Sequence, residues 1–255
     1  MNLASYIMQK PNGSTYLFSV GQAGYIIKSS SGQLLAIDLY LSNCVERTEG
    51  HIGFKRMLPQ LLEPNELEFD VIVATHPHLD HFDIDAIPEM MSTGKPQLCC
   101  SVDCKKLIEQ TQMEYFSDRT HYVKPNDDFA CGDFSIHFVN CDHGEGAPDA
   151  VGVIVEVDGK VIYEAGDTCL RLDRVTEVTR FGAIDVLIAP INGAYGNLNE
   201  EECVELGKAI NPHVTIPCHY GMFASHGGNS GLFYEEAKKN HLNCMIMTQG
   251  ESLKL

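Results

Sequence analysis

The segment Thr75-His76-Pro77-His78-Leu79-Asp80-His81 places three histidines and an aspartate within six residues. Neutral imidazole is the commonest metal-ligating side chain, and carboxylate oxygen is the next. His76 and His78 lie two residues apart, so in an extended segment both project to one side. Asp80 and His81 come just after the turn and reach a second position. One segment thus offers two pairs of ligands, enough to begin two adjacent metal sites. The plain alternative is a polar loop that happens to hold histidine, but H-x-H-x-D-H is long and ordered for a short motif.

Such ligands need rigid elements behind them. Phe69-Asp70-Val71-Ile72-Val73-Ala74 is a β-branched apolar run that reads as a buried strand ending at the motif. Three further candidates repeat that placement. His143 follows a strand ending at Val139, Asp167 a strand ending at Ala165, and His219 a strand ending at Pro217. If these strands share an orientation, their following loops gather at one edge, where the candidates converge. The histidines at 51, 121, 137, 213, 226 and 241 have no such setting and read as structural.

The rest of the chain supplies a frame. Tyr16–Val20, Ala23–Lys28 and Gln33–Asp38 read as an opening antiparallel meander. Phe54–Leu62 reads as a short helix within an irregular stretch, 41–67, that is either a lid or a plain connector. Helices are predicted over Asp83–Met91, Val102–Gln110, Asn199–Ala209 and Leu232–Asn240, the third capped by Asn199 and followed by three glutamates that suit its first turn. A turn is expected at Pro125–Asp128. Strands are predicted over Gln97–Ser101, Phe134–Val139, Ile184–Ala189, Val214–Pro217 and Asn243–Thr248, with a hairpin from Val151 to Ala165 through Asp158-Gly159. This order describes two similar halves of mixed α/β character. The expectation is two sheets packed face to face with helices outside, forming one domain over residues 1–255.

Composition limits the partners. With 255 residues and 44% hydrophobic content the chain can bury a substantial core. Its net charge of -17 argues against nucleic acid as a partner, because a phosphate backbone needs a basic surface. The ten cysteines form no C-x-x-C pair. The start, Met1 to Pro11, lacks the basic and apolar regions of a signal peptide, and no apolar stretch is long enough to cross a membrane. A cytoplasmic protein with small buried cysteines is expected, and a homo-oligomer is compatible with this composition.

His-Pro-His-Leu-Asp-His, then His143, then Gly166-Asp167-Thr168, then Cys218-His219-Tyr220, resembles the metallo-β-lactamase superfamily over nearly the whole chain. Within it, THPHLDHFD from Thr75, INGAYGNLNEEE from Ile191 and IPCHYGMFASHGG from Ile216 look most like the ascorbate-6-phosphate lactonase group. The resemblance implies a four-layer αββα sandwich. It implies one metal held by His76, His78 and His143, a second held by Asp80, His81 and His219, and Asp167 bridging the two. Zinc or manganese suits these donors, and iron is also compatible. Cys169 and Cys218 are then structural or supporting residues.

The implied activity is hydrolysis of an ester-like bond by metal-held hydroxide, with the lactone of a phosphorylated sugar acid as the leading substrate. Asp80 is the expected catalytic residue, orienting the hydroxide and then carrying its proton. Asn192, Tyr195 and Asn197 are candidates to bind a substrate carbonyl, and Tyr220, His226 and Asn229 to line the pocket. Arg56 is the first candidate to pair with an anionic substrate, followed by Lys55, Lys124, Arg171 and Arg174. Asp38, at a strand end on the same edge, is a candidate to support a ligating histidine. The rival readings are a phosphodiesterase or nuclease on the same two-metal core, and a non-catalytic metal-binding protein.

Overall fold

The computed structural model describes residues 2–255. Its strands in chain order are β1 (Tyr16–Gly21), β2 (Gly24–Lys28), β3 (Leu34–Ile37), β4 (Val71–Ala74), β5 (Gln97–Ser101) and β6 (Thr120–Val123). They continue with β7 (Asp128–Cys131), β8 (Phe134–Asn140), β9 (Val151–Val157), β10 (Lys160–Glu164), β11 (Val186–Pro190), β12 (Val214–Cys218) and β13 (Ser252–Lys254). The α-helices are α1 (Leu3–Gln9), α2 (Cys44–Glu49), α3 (Ala86–Ser92), α4 (Cys104–Gln110), α5 (Val175–Thr179), α6 (Glu200–Ile210) and α7 (Ser230–Lys239). One sheet has the order β13-β1-β2-β3-β4-β5-β6, and the other β12-β11-β10-β9-β8-β7.

Side-chain alternation explains the layers. In β4, Val71 and Val73 enter the core between the sheets, whereas Ile72 and Ala74 face a separate core with α1, α3 and α4. In β10 and β11, Ile162, Val186 and Ile188 point between the sheets, and Tyr163, Leu187 and Ala189 pack beneath α5, α6 and α7. Strands buried on both faces must be apolar at every position, which is why these segments read as continuous runs rather than as alternating ones. The result is the αββα sandwich.

The topology sets where ligands emerge. Strands β3, β4 and β5 are parallel neighbours, as are β10, β11 and β12, and β8 and β10 both run antiparallel to β9. The loops following β3, β4, β8, β10, β11 and β12 therefore open at common strand ends, in keeping with the rule that α/β sites form beyond the carboxyl ends of strands.

Several local expectations are corrected. Phe54–Leu62 is not helical. The helix of this region is α2, followed by a 3-10 turn over Gly50–Ile52, and the chain then runs extended. Pro59 withholds a backbone donor there, and the stretch bonds outward instead: Met57 N–H donates to Met222 O, and Ala224 N–H to Lys55 O. Asn243–Thr248 forms only a single bridge, Cys244 to Thr215, and the last regular strand is β13 on the edge of the first sheet. Asp128 begins β7 rather than closing a turn. α1, β6 and α5 were not expected. Asn199 does cap α6, through a reciprocal box with Glu202. All ten cysteines are free thiols, seven of them buried. Among the described residues no helix is long and apolar enough to cross a membrane.

Candidate metal centre

The structure draws together all seven residues singled out as ligands. The donor atoms of His76, His78, His143 and Asp167 lie within 4.8 Å of one another, and those of Asp80, His81 and His219 form a second such group. In the first, His78 Nδ1 lies 3.0 Å from His76 Nε2 and 3.1 Å from His143 Nε2. In the second, His219 Nε2 lies 3.3 Å from His81 Nε2 and 3.4 Å from Asp80 Oδ2. Asp167 stands between them, with Oδ2 3.8 Å from His143 Nε2 and 3.2 Å from His219 Nε2, and Oδ1 3.5 Å from His81 Nε2.

Ring orientation comes from below. Asp38 is fully buried after β3 and in the left-handed region, at φ 47°. It accepts from Thr75 N–H at 2.8 Å, from the Thr75 hydroxyl at 2.6 Å and from His81 Nδ1–H at 2.7 Å. Thr75 Oγ1 in turn lies 3.0 Å from His76 Nδ1 and accepts its proton. One carboxylate thereby engages Nδ1 of His81 directly and of His76 through Thr75, turning Nε2 of both rings toward the site, as a metal ligand requires. Thr75 is a positioning residue with no signal in the sequence beyond its place in the motif.

The donor set fits divalent cations. Asp167 Oδ1 is buried without a hydrogen-bond partner, as is His143 Nδ1. The carboxylates also demand positive charge. Burial disfavours protonated His81, yet Asp167, Asp80 and Asp38 outweigh it and hold its pKa well above the ordinary histidine value. Burial likewise opposes charge on His219, but Asp167 and Asp80 raise its pKa to about 9. Burial would raise Asp80, but His81 and His219 hold it well below the usual carboxylate range. In the first group, where imidazoles crowd one another, burial pushes His76 and His78 down and His143 to about 4. Two protons on His81 and His219 occupy the electrostatic role that a cation fills.

These shifts fix a pH response for the metal-free protein. The folded pKa of His219 exceeds its unfolded value of about 6.5, so its stabilising contribution is complete below about 6.5 and is lost as pH rises through about 9. Thermal melts in chelator should show Tm falling between pH 6.5 and 9, while the metal-loaded protein, with those protons displaced, resists the fall. A flat metal-free profile over that window would contradict the assigned coupling.

His78, Asp80, His143, Asp167 and His219 form the floor of a cavity of about 330 Å³, walled by Val45, Glu49, Ile52, Phe54, Pro77, Leu79, Asn192, Tyr195 and Asn197. Asn192 and Tyr195 are thus where a substrate residue would be. Asn197 Nδ2 donates to Asn192 Oδ1 at 3.0 Å, which leaves the Asn192 amide hydrogens for other partners. His226 stacks on Phe54 at 4.6 Å and neighbours Tyr195 at 5.3 Å, bracing the wall from behind.

The remaining substrate candidates are corrected. The Arg56 guanidinium is turned inward: Nε donates to Leu58 O at 2.9 Å, Nη1 to Ser42 O at 2.6 Å, and the group lies over the Tyr40 ring. Tyr220 donates its hydroxyl to Met247 O and lines a separate apolar cavity. Asn229 caps α7, accepting from Gly231 N–H and Leu232 N–H. Lys55 and Lys124 are exposed away from the cavity, Arg171 is paired with Asp142 and Asp173, and Arg174 lines a small pocket near Tyr163. Sequence reasoning missed the apolar wall, because Val45, Ile52, Phe54 and Leu79 look like ordinary core residues.

An αββα sandwich with histidines and aspartates at these strand ends defines the metallo-β-lactamase class. A sequence profile of the beta-lactamase superfamily domain matches residues 16–219, and the chain belongs to that superfamily. It is similar to a UPF0173 metal-dependent hydrolase of Anaeromyxobacter dehalogenans (strain 2CP-C), at 26% identity over 234 residues, covering 85% of this chain and 78% of the relative. A metallo hydrolase from the archaeon Ignicoccus hospitalis shares the fold with a TM-score of 0.73 at 22% identity, over 95% of this chain and 98% of that one. An isothiocyanate hydrolase from Delia radicum gut bacteria does so with a TM-score of 0.72 at 18% identity, over 93% and 98%.

Proposed function

We propose that this protein is a metal-dependent hydrolase that opens an ester-like bond, a lactone in the first instance, in a substrate whose body is neutral and apolar. The observation that carries this reading is the cavity itself: two groups of metal donors at its floor and Val45, Ile52, Phe54, Leu79 and Tyr195 around it, with no lysine or arginine among its lining residues. The lactone rests on the resemblance of the segments at Thr75, Ile191 and Ile216. The phosphate on that substrate rested on Arg56, whose guanidinium is spent on backbone carbonyls. An anion at the mouth would instead meet Glu49.

When bound, divalent ions supply Lewis acidity and lower the pKa of water towards neutrality. His76, His78, Asp80, His81, His143, Asp167 and His219 would hold them. Asp80 faces the cavity as an ionised carboxylate, able to orient the attacking water and receive its proton. Asn192 and Tyr195 line the wall beside these ligands and are the residues a substrate carbonyl would meet.

The reading is tested by a hydrolysis panel on metal-loaded protein: an alkyl lactone, a plain sugar lactone, a phosphorylated sugar lactone, a phosphodiester and a β-lactam. The alkyl lactone should exceed the phosphorylated one in kcat/KM by at least tenfold, about 1.4 kcal/mol. Preference for the phosphodiester would move the protein to that enzyme class. Inertness to every compound with both metals bound would favour the non-catalytic reading.

A further inference from the structure

The tip of the β1–β2 hairpin, in the same sheet as β4, reaches into the second ligand group and meets His219 from the other sheet. Gln22 sits there with φ at 55°, a region in which glycine or asparagine is the natural turn residue. Its side chain is nevertheless buried. Its amide nitrogen lies 2.9 Å from Asp80 Oδ2, and 3.0 and 3.1 Å from the two ring nitrogens of His219. Its backbone carbonyl accepts from the backbone N–H of His219 at 3.0 Å. His219 itself lies in the left-handed region, at φ 63°. A glutamine held in a disfavoured turn conformation, with its polar head buried against two ligands, is placed there by its side chain rather than by the turn.

The other histidines show what is at stake. A ring that presents one nitrogen to a metal needs an acceptor for the N–H on the other. His81 has Asp38, and His76 has Thr75. The side-chain group beside Nδ1 of His219 is the Gln22 amide. The amide offers both a donor, 2.9 Å from Asp80 Oδ2, and an acceptor that a half-turn would bring to Nδ1 of His219.

We propose that Gln22 is the positioning residue of the second ligand group: its amide fixes Asp80 and His219 and so sets the affinity for one metal ion without touching the other. This rests on the reading that the seven residues hold two ions.

The test is cobalt(II) titration of chelator-treated protein, followed by visible absorbance and calorimetry, with thermal melts of the metal-free forms. Gln22→Gly keeps the turn and removes the amide. Gln22→Leu keeps most of the volume and serves if the glycine variant is poorly folded. Wild type should bind two ions in resolvable steps. Either variant should weaken one step by tenfold or more, the usual range for a group that orients a ligand, and leave the other within twofold. Two unchanged steps in Gln22→Gly would reduce Gln22 to a turn residue. Equal weakening of both would show general loosening and overturn the proposal. Fewer than two ions in wild type would overturn the two-ion reading, and this inference with it.

Discussion

Asp167→Asn should cost this protein bound metal and most of its hydrolysis. Its carboxylate stands between the two ligand groups, within 3.8 Å of His143, His81 and His219, and carries a buried oxygen with no protein partner. Asparagine keeps the shape but removes the negative charge and offers one ligating oxygen instead of two. The backbone leaves no room for the chain to compensate. Gly166 has φ at 66°, and a β-carbon there would lie 3.0 Å from Val151 O and 3.1 Å from Cys141 Sγ, so Asp167 is aimed by a turn that tolerates only glycine. Activity should fall on the order of 10²- to 10³-fold, the size typical of losing one preorganised electrostatic group. Elemental analysis should find the metal content reduced from two per chain to one or none. Retained activity with a single metal lost would strip Asp167 of its bridging place.

Asp38→Ala should have the largest effect on stability. The aspartate is wholly buried, and its removal leaves the Thr75 N–H, the Thr75 hydroxyl and the His81 Nδ1–H without acceptors. Breaking a buried charged pair from one side costs about 3–5 kcal/mol. In a chain of this size that corresponds to a drop in Tm of roughly 10 °C. Urea denaturation of the metal-free variant measures it directly. A change below about 1 kcal/mol would mean that solvent reaches these donors once Asp38 is gone.

The candidate ligands were legible because each sits where an apolar strand stops. A strand such as Val71–Ala74 announces itself by composition, and the residue after it inherits a defined position. Asp38 was legible for the same reason. The wall of the cavity was not. Phe54 carries no local sign that it lines a cavity, since what it faces is decided by Phe223, His226 and Tyr195, far along the chain. Arg56 misled because a guanidinium beside an active-site segment suggests anion binding, whereas the carbonyls of Tyr40, Ser42 and Leu58 claim it. Asn229 was read for its neighbour His219, but its own amide serves the first turn of α7. Gln22 escaped notice because a hairpin tip is expected to be chosen for its backbone.

Asp83 has a consequence of a different kind. It is buried, and it accepts from Leu41 N–H, Ser42 N–H, the Ser42 hydroxyl and Ala86 N–H. That nails the start of the cavity wall to the segment carrying the histidines. Arg56 nails the other end, some fourteen residues on from Ser42. A strap fastened at both ends cannot swing as a door. Passage through the mouth should then depend on the girth of a compound, and hydrolysis rates for lactones of increasing width would measure it.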